Sequence, residues 1–324
     1  MIRHYRIKLI FGLVLVLFPI AGFGWAGTGS APLVVTDQSG RTISVKKPFC
    51  RIISLYGAHT ENLFRLGLDE EIIGVSRSEV YPPEALKKPV FSYHDDLEKF
   101  LAAQPDLVLV RPMIDRGYAP LTAGLEKHGI TVVSLQPGTP EAMYAYWQAL
   151  GHLTGKTDRA IEMTERFQST VSRFRSLTET VPNKKRVYFE AIHSRMKTFS
   201  PDSMAIFALE SAGGINVAAD ARPVRGTNIA EYGKERILSR GSEIDVFLAQ
   251  HGTMNRPTLE LITREPGFQV IRAVRDGRVY IIDEGIVSRP TFRLLSGIFE
   301  IGKILYPDIF DKSARTILET ANEG

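Results

Sequence analysis

Between Thr157 and Val181 apolar residues return every three or four positions, at Ala160, Met163, Phe167, Val171, Phe174, Leu177 and Val181. Charged and small polar residues fill the places between. That spacing lays a single apolar stripe along a helix. Gly155 precedes the stretch, Thr157 or Asp158 can cap the orphan N–H groups at its start, and Pro182 stops it. At a rise of ~1.5 Å per residue it predicts a rod about 37 Å long. The chain before it and the chain after it look alike. The pattern therefore predicts a bridging helix over 156–182 between an N-terminal lobe at 33–155 and a C-terminal lobe at 183–324.

Ahead of the bridge, Leu33 to Val45 alternates around Asp37-Gln38-Ser39-Gly40 and predicts a hairpin. Strands are then predicted at 51–55, 72–75, 90–91, 106–110 and 131–135. Helices are predicted at 59–66, from the Asp96 cap to Ala103, up to His128-Gly129, and at 141–153. Beyond the bridge come strands at 186–192, 245–249 and 279–283, with helices at 203–212, 235–240 and, last, 292–305. Strands alternating with helices, without hairpin spacing, predict an α/β fold: two similar lobes, each with a central, mostly parallel sheet. A phrase also recurs. Leu97 to Leu101 leads into Asp106 to Val110 much as Glu235 to Leu238 leads into Asp245 to Ala249, an internal repeat with two extra residues in the second copy.

Composition changes this picture little. The 324 residues are 44% hydrophobic and 23% charged, which is ordinary for globular protein. The start is more telling. Basic residues through Lys8, the apolar run Leu9 to Phe18 and the small residues of Gly24-Trp25-Ala26 predict a cleaved signal peptide over 1–26 and an exported protein, most simply in a periplasm. The leader holds Arg3, Arg6 and Lys8; taking those three from the formal +4 leaves +1. Such a charge is no argument for nucleic acid or an anionic membrane as a partner, and no nucleic acid is expected. The lone cysteine, Cys50, excludes a disulfide framework and is expected as a small buried hydrophobe.

Ligands of open α/β sheets sit beyond the carboxyl ends of the strands. Reading the residues just past the predicted strands gives Tyr56 and His59, Tyr93 and His94, Arg111, His193 and Arg195, His251, and Glu284 with Arg289. Three arginines in that set suggest an anionic ligand, because guanidinium groups fork onto carboxylate or catecholate oxygens. Tyr56, Tyr81 and Tyr93 would add apolar contact. The enzyme signatures are missing: there is no Gly-x-Ser-x-Gly elbow, no His-Glu-x-x-His and no phosphate-binding glycine loop.

The ordered run Thr36 to Arg41, Arg51 to Leu55 with Thr60 to Phe64, and Leu68 to Val75 resembles the helical-backbone (class III) periplasmic binding proteins of ABC importers, the binders of ferric siderophores, haem and vitamin B12. Tyr81-Pro82-Pro83, Leu97-Glu98, Pro105 to Val108 and Leu150-Gly151 with Gly155 fit the same pattern. The resemblance covers nearly all of the chain after the leader. It implies two lobes on a rigid bridging helix, a monomer, and a cleft for one metal chelate, with no cofactor of its own. It also implies a partner, the permease dimer of the inner membrane, met by one glutamate per lobe; Glu98 and Glu235 match those positions. Relatives that bind ferric catecholates use arginines with a His or Tyr, which favours an iron chelate here. Cobalamin is less favoured, since neither Trp25 nor Trp147 is placed to line the cleft. Haem through Tyr56 or Tyr93 stays open. So does a bare zinc-type ion on His59, His94, His193 and His251, with Glu190 or Asp283, and so does a purely structural envelope protein.

Overall fold

A computed structural model describes residues 33–224 and 227–323 of the chain; the leader expected over 1–26 lies outside the described residues. The N-terminal lobe opens with an antiparallel hairpin, β1 (Leu33–Thr36) and β2 (Thr42–Val45). Then follow β3 (Ile52–Ser54), α1 (Gly57–Arg65), β4 (Ile72–Ser76), β5 (Val90–Phe91), α2 (Leu97–Ala103), β6 (Leu107–Val110), α3 (Pro112–Gly117), α4 (Ala119–Lys127), β7 (Thr131–Ser134) and α5 (Pro140–Thr154). Its sheet runs β5-β4-β3-β6-β7 and is wholly parallel. After the bridging helix α6 (Thr157–Leu177) the second lobe begins with β8 (Arg186–Ile192), β9 (Lys197–Phe199), α7 (Met204–Ser211), β10 (Ile215–Asn216), β11 (Arg222–Pro223) and β12 (Ile229–Glu231). It closes with α8 (Lys234–Ser239), β13 (Val246–His251), α9 (Leu259–Thr263), α10 (Arg272–Arg275), β14 (Val279–Asp283), α11 (Glu284–Val287), α12 (Leu294–Leu305) and α13 (Lys312–Asn322).

The second sheet runs β11-β12-β9-β8-β13-β14, with β10 beside β8. It is mixed rather than mostly parallel, because β9 doubles back antiparallel to β8 through a turn at His193–Arg195. The short strands β9 to β12 carry no alternation long enough to announce them. The recurring phrase does correspond to equivalent pieces. β6 pairs with β3, the lobe's first strand after the hairpin, and β13 pairs with β8. In each lobe the aspartate just ahead of this strand, β6 or β13, accepts backbone N–H groups at the start of its neighbour. Asp106 accepts from Cys50 and Arg51 at 3.0 and 2.9 Å, and Asp245 accepts from Arg186 at 2.8 Å. The two extra residues of the second copy are absorbed by a 3₁₀ turn at Gly241–Glu243.

Both faces of each sheet are buried, so alternate residues serve different cores. Ile53, Val108 and Val110 pack into a cluster local to the first lobe, and Tyr188, Phe247 and Ala249 into one local to the second. Ile52, Leu107 and Leu109 instead join Val187, Phe189, Val246 and Leu248 in one continuous core, through Phe167, Val171 and Phe174 of α6. Residues from Leu33 onward accordingly form one compact unit.

The bridge is shorter than its stripe predicts, ending at Leu177 rather than Val181. Thr178 and Thr180 have poor helix propensity, and the residue before Pro182 is disfavoured in helix. Neither Thr157 nor Asp158 caps it, since the cap position is Lys156. Asp96 likewise holds the cap position of α2 without a cap hydrogen bond; Asp95 accepts from Ser92 N at 2.8 Å instead. The single helix expected up to His128 breaks at Tyr118 into α3 and α4. α12 is not the last helix, because α13 follows it with a short apolar side of Ala314, Ile317, Leu318 and Ala321. Cys50 is exposed rather than buried, its thiol 3.5 Å from Asp106.

Candidate functional site

Between the lobes lies a cleft of about 470 Å³, within the range of small-molecule sites. The first lobe supplies Tyr56 and Gly57 beyond β3, Ser76 to Ser78 beyond β4, Ser92 to His94 beyond β5, Arg111 beyond β6 and Gln136 beyond β7. The second supplies Phe199, Asn228, Ile229, Gln250, Thr253, Met254, Glu284, Ser288 and Arg289.

Arg111 lies over the Tyr56 ring, its guanidinium carbon 5.2 Å from the centroid. Its Nε is buried with no hydrogen-bond partner among the described residues. Burial raises the Tyr56 phenol above its ordinary pKa, against the pull of Arg111 and Arg289. Tyr93, His94 and Tyr118 make an aromatic trio, with Tyr93–His94 and Tyr93–Tyr118 centroids 4.5 and 4.6 Å apart and the Tyr118 hydroxyl 3.2 Å from the imidazole. The Glu284 carboxylate is engaged by Thr253 N at 3.0 Å.

Arg289 has a further tie. Its Nη1 donates to Glu61 at 3.0 Å, and Arg293 donates to the same carboxylate through Nε and Nη2, each at 2.8 Å. Glu61 belongs to α1 of the first lobe and both arginines to the second. The carbonyl of Pro290, between them, accepts from Asn62 Nδ2 at 3.0 Å and Trp147 Nε1 at 3.1 Å. The segment 289–293 is thus seated on the opposite lobe by buried polar bonds. Gly57 permits the close approach, since a Cβ there would fall 2.7 Å from Arg289 Nη1. Beside it Glu79 accepts from Ser76 Oγ at 2.8 Å but leaves Oε2 unpartnered, and burial raises its carboxyl above the usual range.

Of the sequence-predicted residues, Tyr56, Tyr93, His94, Arg111 and Arg289 line the cleft, and His59, His193, Arg195 and His251 do not. His59 is one turn into α1 and points into the core. It bonds Tyr146 OH at 2.8 Å and Val110 O at 3.0 Å. His193 and Arg195 are in the turn that sends β9 back along β8. His193 is buried against Glu190 at 2.9 Å, which raises its imidazole pKa, while Arg195 is exposed. At the end of β13 Gln250 takes the place facing the cleft and His251 is exposed. The four histidines are therefore not brought together, and among the described residues no three His, Cys, Asp or Glu side chains stand as a metal would need. Tyr81 also lies outside the cleft, under the Arg293 guanidinium at 4.0 Å. Trp147 is fully buried. Sequence reasoning missed Arg77; the same strand-end rule, applied past Ser76, finds it.

Comparison with known proteins agrees with this architecture. The family model for periplasmic binding proteins matches residues 52–285. A Bacillus subtilis ABC transporter substrate-binding lipoprotein, YvrC, is 25% identical over 86% of this chain and 87% of its own. The vitamin B12-binding protein of Vibrio cholerae is 25% identical over 79% of this chain and 89% of its own. The crystal structure of a possible iron-binding periplasmic solute-binding protein from Staphylococcus epidermidis superposes with a TM-score of 0.70 at 27% identity, over 80% of this chain and all of that one. The chain belongs to the periplasmic binding protein family. It has the two-lobed fold of the class whose members serve ABC importers for iron chelates, haem or vitamin B12, and its kin are transport proteins rather than enzymes.

Proposed function

We propose that this chain is an exported, monomeric binding protein that captures an anionic iron chelate, a ferric siderophore, in the interlobe cleft and delivers it to an inner-membrane permease dimer. One observation carries the choice of ligand. Arg77 and Arg111 line the cleft with no ion-pair partner among the described residues, beside Arg289, which shares Glu61 with Arg293, and the one lining carboxylate is Glu284. A polyanionic chelate supplies the missing charge, and forked guanidinium contacts fit catecholate or carboxylate oxygens. The preformed cleft keeps the ordering cost of binding low. Titration with a ferric tris-catecholate, haem, cyanocobalamin and Zn²⁺, followed by fluorescence, tests it. The ferric complex is expected to bind, and Arg111→Ala to weaken it about tenfold or more, the loss of one charge-assisted hydrogen bond. Binding of cobalamin or zinc alone would defeat the reading.

A second reading, haem, is favoured by the Tyr93–His94–Tyr118 trio, since phenolate and imidazole both ligate haem iron. Its signature would be a Soret band that Tyr93→Phe or His94→Ala shifts.

Glu98 and Glu235 are proposed as the permease contacts. Each is exposed in the first turn of its helix, α2 or α8, a place where the helix dipole favours a carboxylate. The double variant Glu98→Arg with Glu235→Arg is expected to bind ligand normally yet abolish uptake; unchanged uptake would exclude these contacts.

A further inference from the structure

A second cavity, of about 270 Å³, opens at the same interlobe boundary. Glu61 stands between the two: Arg289 on its one side lines the cleft, and Arg293 on its other lines the second cavity. Both lobes contribute walls, with Phe64, Arg65 and Tyr81 from the first and Thr291, Phe292 and Arg293 from the second; of its two lining carboxylates Glu61 is held by the arginine pair and Glu84 is exposed. The volume is that of about nine waters, room for a single-ring molecule.

The polar groups of this cavity are under-used. Thr291 is 1% exposed and its hydroxyl has no partner among the described residues. An orphaned buried hydroxyl is uncommon and calls for an occupant. Arg65 makes no ion pair among the described residues, the carboxylate influence on it being the Glu162 charge. It holds the carbonyls of Ala321 and Asn322 at 3.0 and 3.3 Å, and burial, with nearby Arg166, lowers its pKa. Arg293 commits Nε and Nη2 to Glu61, leaving Nη1 without an acceptor among the described residues. Each guanidinium lies on an aromatic face, Arg65 over Phe292 at 4.2 Å and Arg293 over Tyr81 at 4.0 Å.

We infer that this cavity is a second ligand site, taking a small aromatic carboxylate whose charge meets Arg65, Arg293 and the Thr291 hydroxyl and whose ring lies against Phe64 and Phe292. Planar guanidinium forks match a carboxylate, while the aromatic walls would leave the outward oxygens of a phosphate unsatisfied. A carboxylate here competes with Glu61 for Arg293, so its binding is linked to the pair that steadies Arg289 in the cleft. The site stands whatever the cleft binds.

Fluorine NMR of 4-fluorobenzoate with the full chain tests this, with 4-fluorobenzamide as the neutral control. The carboxylate should broaden saturably and the amide should not. Thr291→Val, nearly isosteric, should weaken binding roughly tenfold, as expected for a hydrogen bond to a charged group. Arg111→Ala, which alters the cleft, should leave the broadening in place. No saturable broadening, equal binding of the amide, full binding by Thr291→Val, or loss in Arg111→Ala would each overturn the inference.

Discussion

His59 shows how one residue type can serve opposite ends. Val110 O can only accept, so the proton sits on Nε2, and Nδ1 accepts from the Tyr146 hydroxyl, itself approached by Asn62 Nδ2 at 3.2 Å. Burial pushes the imidazole pKa down to about 4, against ~6.5 in an unfolded chain. The unfolded state therefore takes up the proton first on acidification. The stabilisation is complete above pH ~6.5 and is lost as pH falls towards 4, about 2 kcal/mol of it between pH 7.5 and 5. Urea unfolding at those two pH values should show the loss in the parent and a smaller one in His59→Gln. Position past a strand end drew attention to His59 as readily as to Arg111. What separates them is helix phase: Tyr56 and Gly57 reach the cleft, whereas His59 has turned inward. Tyr56, Tyr93, His94, Arg111 and Arg289 were legible because each directly follows a strand or the short helix after one. His193 was misplaced because nothing in its neighbourhood marks the doubling back of β9.

At the scale of elements, α6 was the most legible part of the chain, because a long 3.6-residue stripe has few competing explanations. Its centre is Phe167, fully buried and packed edge-on to Trp147 and Phe292 at 5.2 and 5.9 Å between centroids. Those neighbours come from the two different lobes. Phe167→Ala is expected to cost about 3–5 kcal/mol by chemical denaturation, and to lower the stability of both lobes together. α13 was illegible for the converse reason. Ala314, Ile317, Leu318 and Ala321 do recur at helical spacing, but that stripe covers only about two turns. It nonetheless offers its final carbonyls to Arg65 of the first lobe, so the chain's end also joins the lobes.

For the whole molecule the shared core has a thermodynamic consequence. Since Ile52 and Leu109 belong to the same cluster as Phe189 and Leu248, neither lobe can lose its packing alone. Calorimetry should show one cooperative transition; two resolved peaks would contradict this. The polar seat of residues 289–293 reinforces the coupling. Glu61→Gln leaves two arginines short of their carboxylate, a change that costs about 3–5 kcal/mol for buried pairs. Hydrogen exchange should quicken across 288–293 in that variant. The one bridging helix was readable in the sequence, but this second fastening was not, because Glu61 and Arg293 are far apart in the chain and meet only once both lobes are folded.

Trp147 is the only tryptophan from Leu33 onward, and its indole N–H rests on a carbonyl of the opposite lobe. The protein therefore carries its own optical gauge. In a chain beginning at Leu33, near-ultraviolet tryptophan emission comes from a single dry indole fastened across the boundary, and any parting of the lobes wets it and moves the emission to the red. Changes in lobe seating can be followed in real time without attaching a dye.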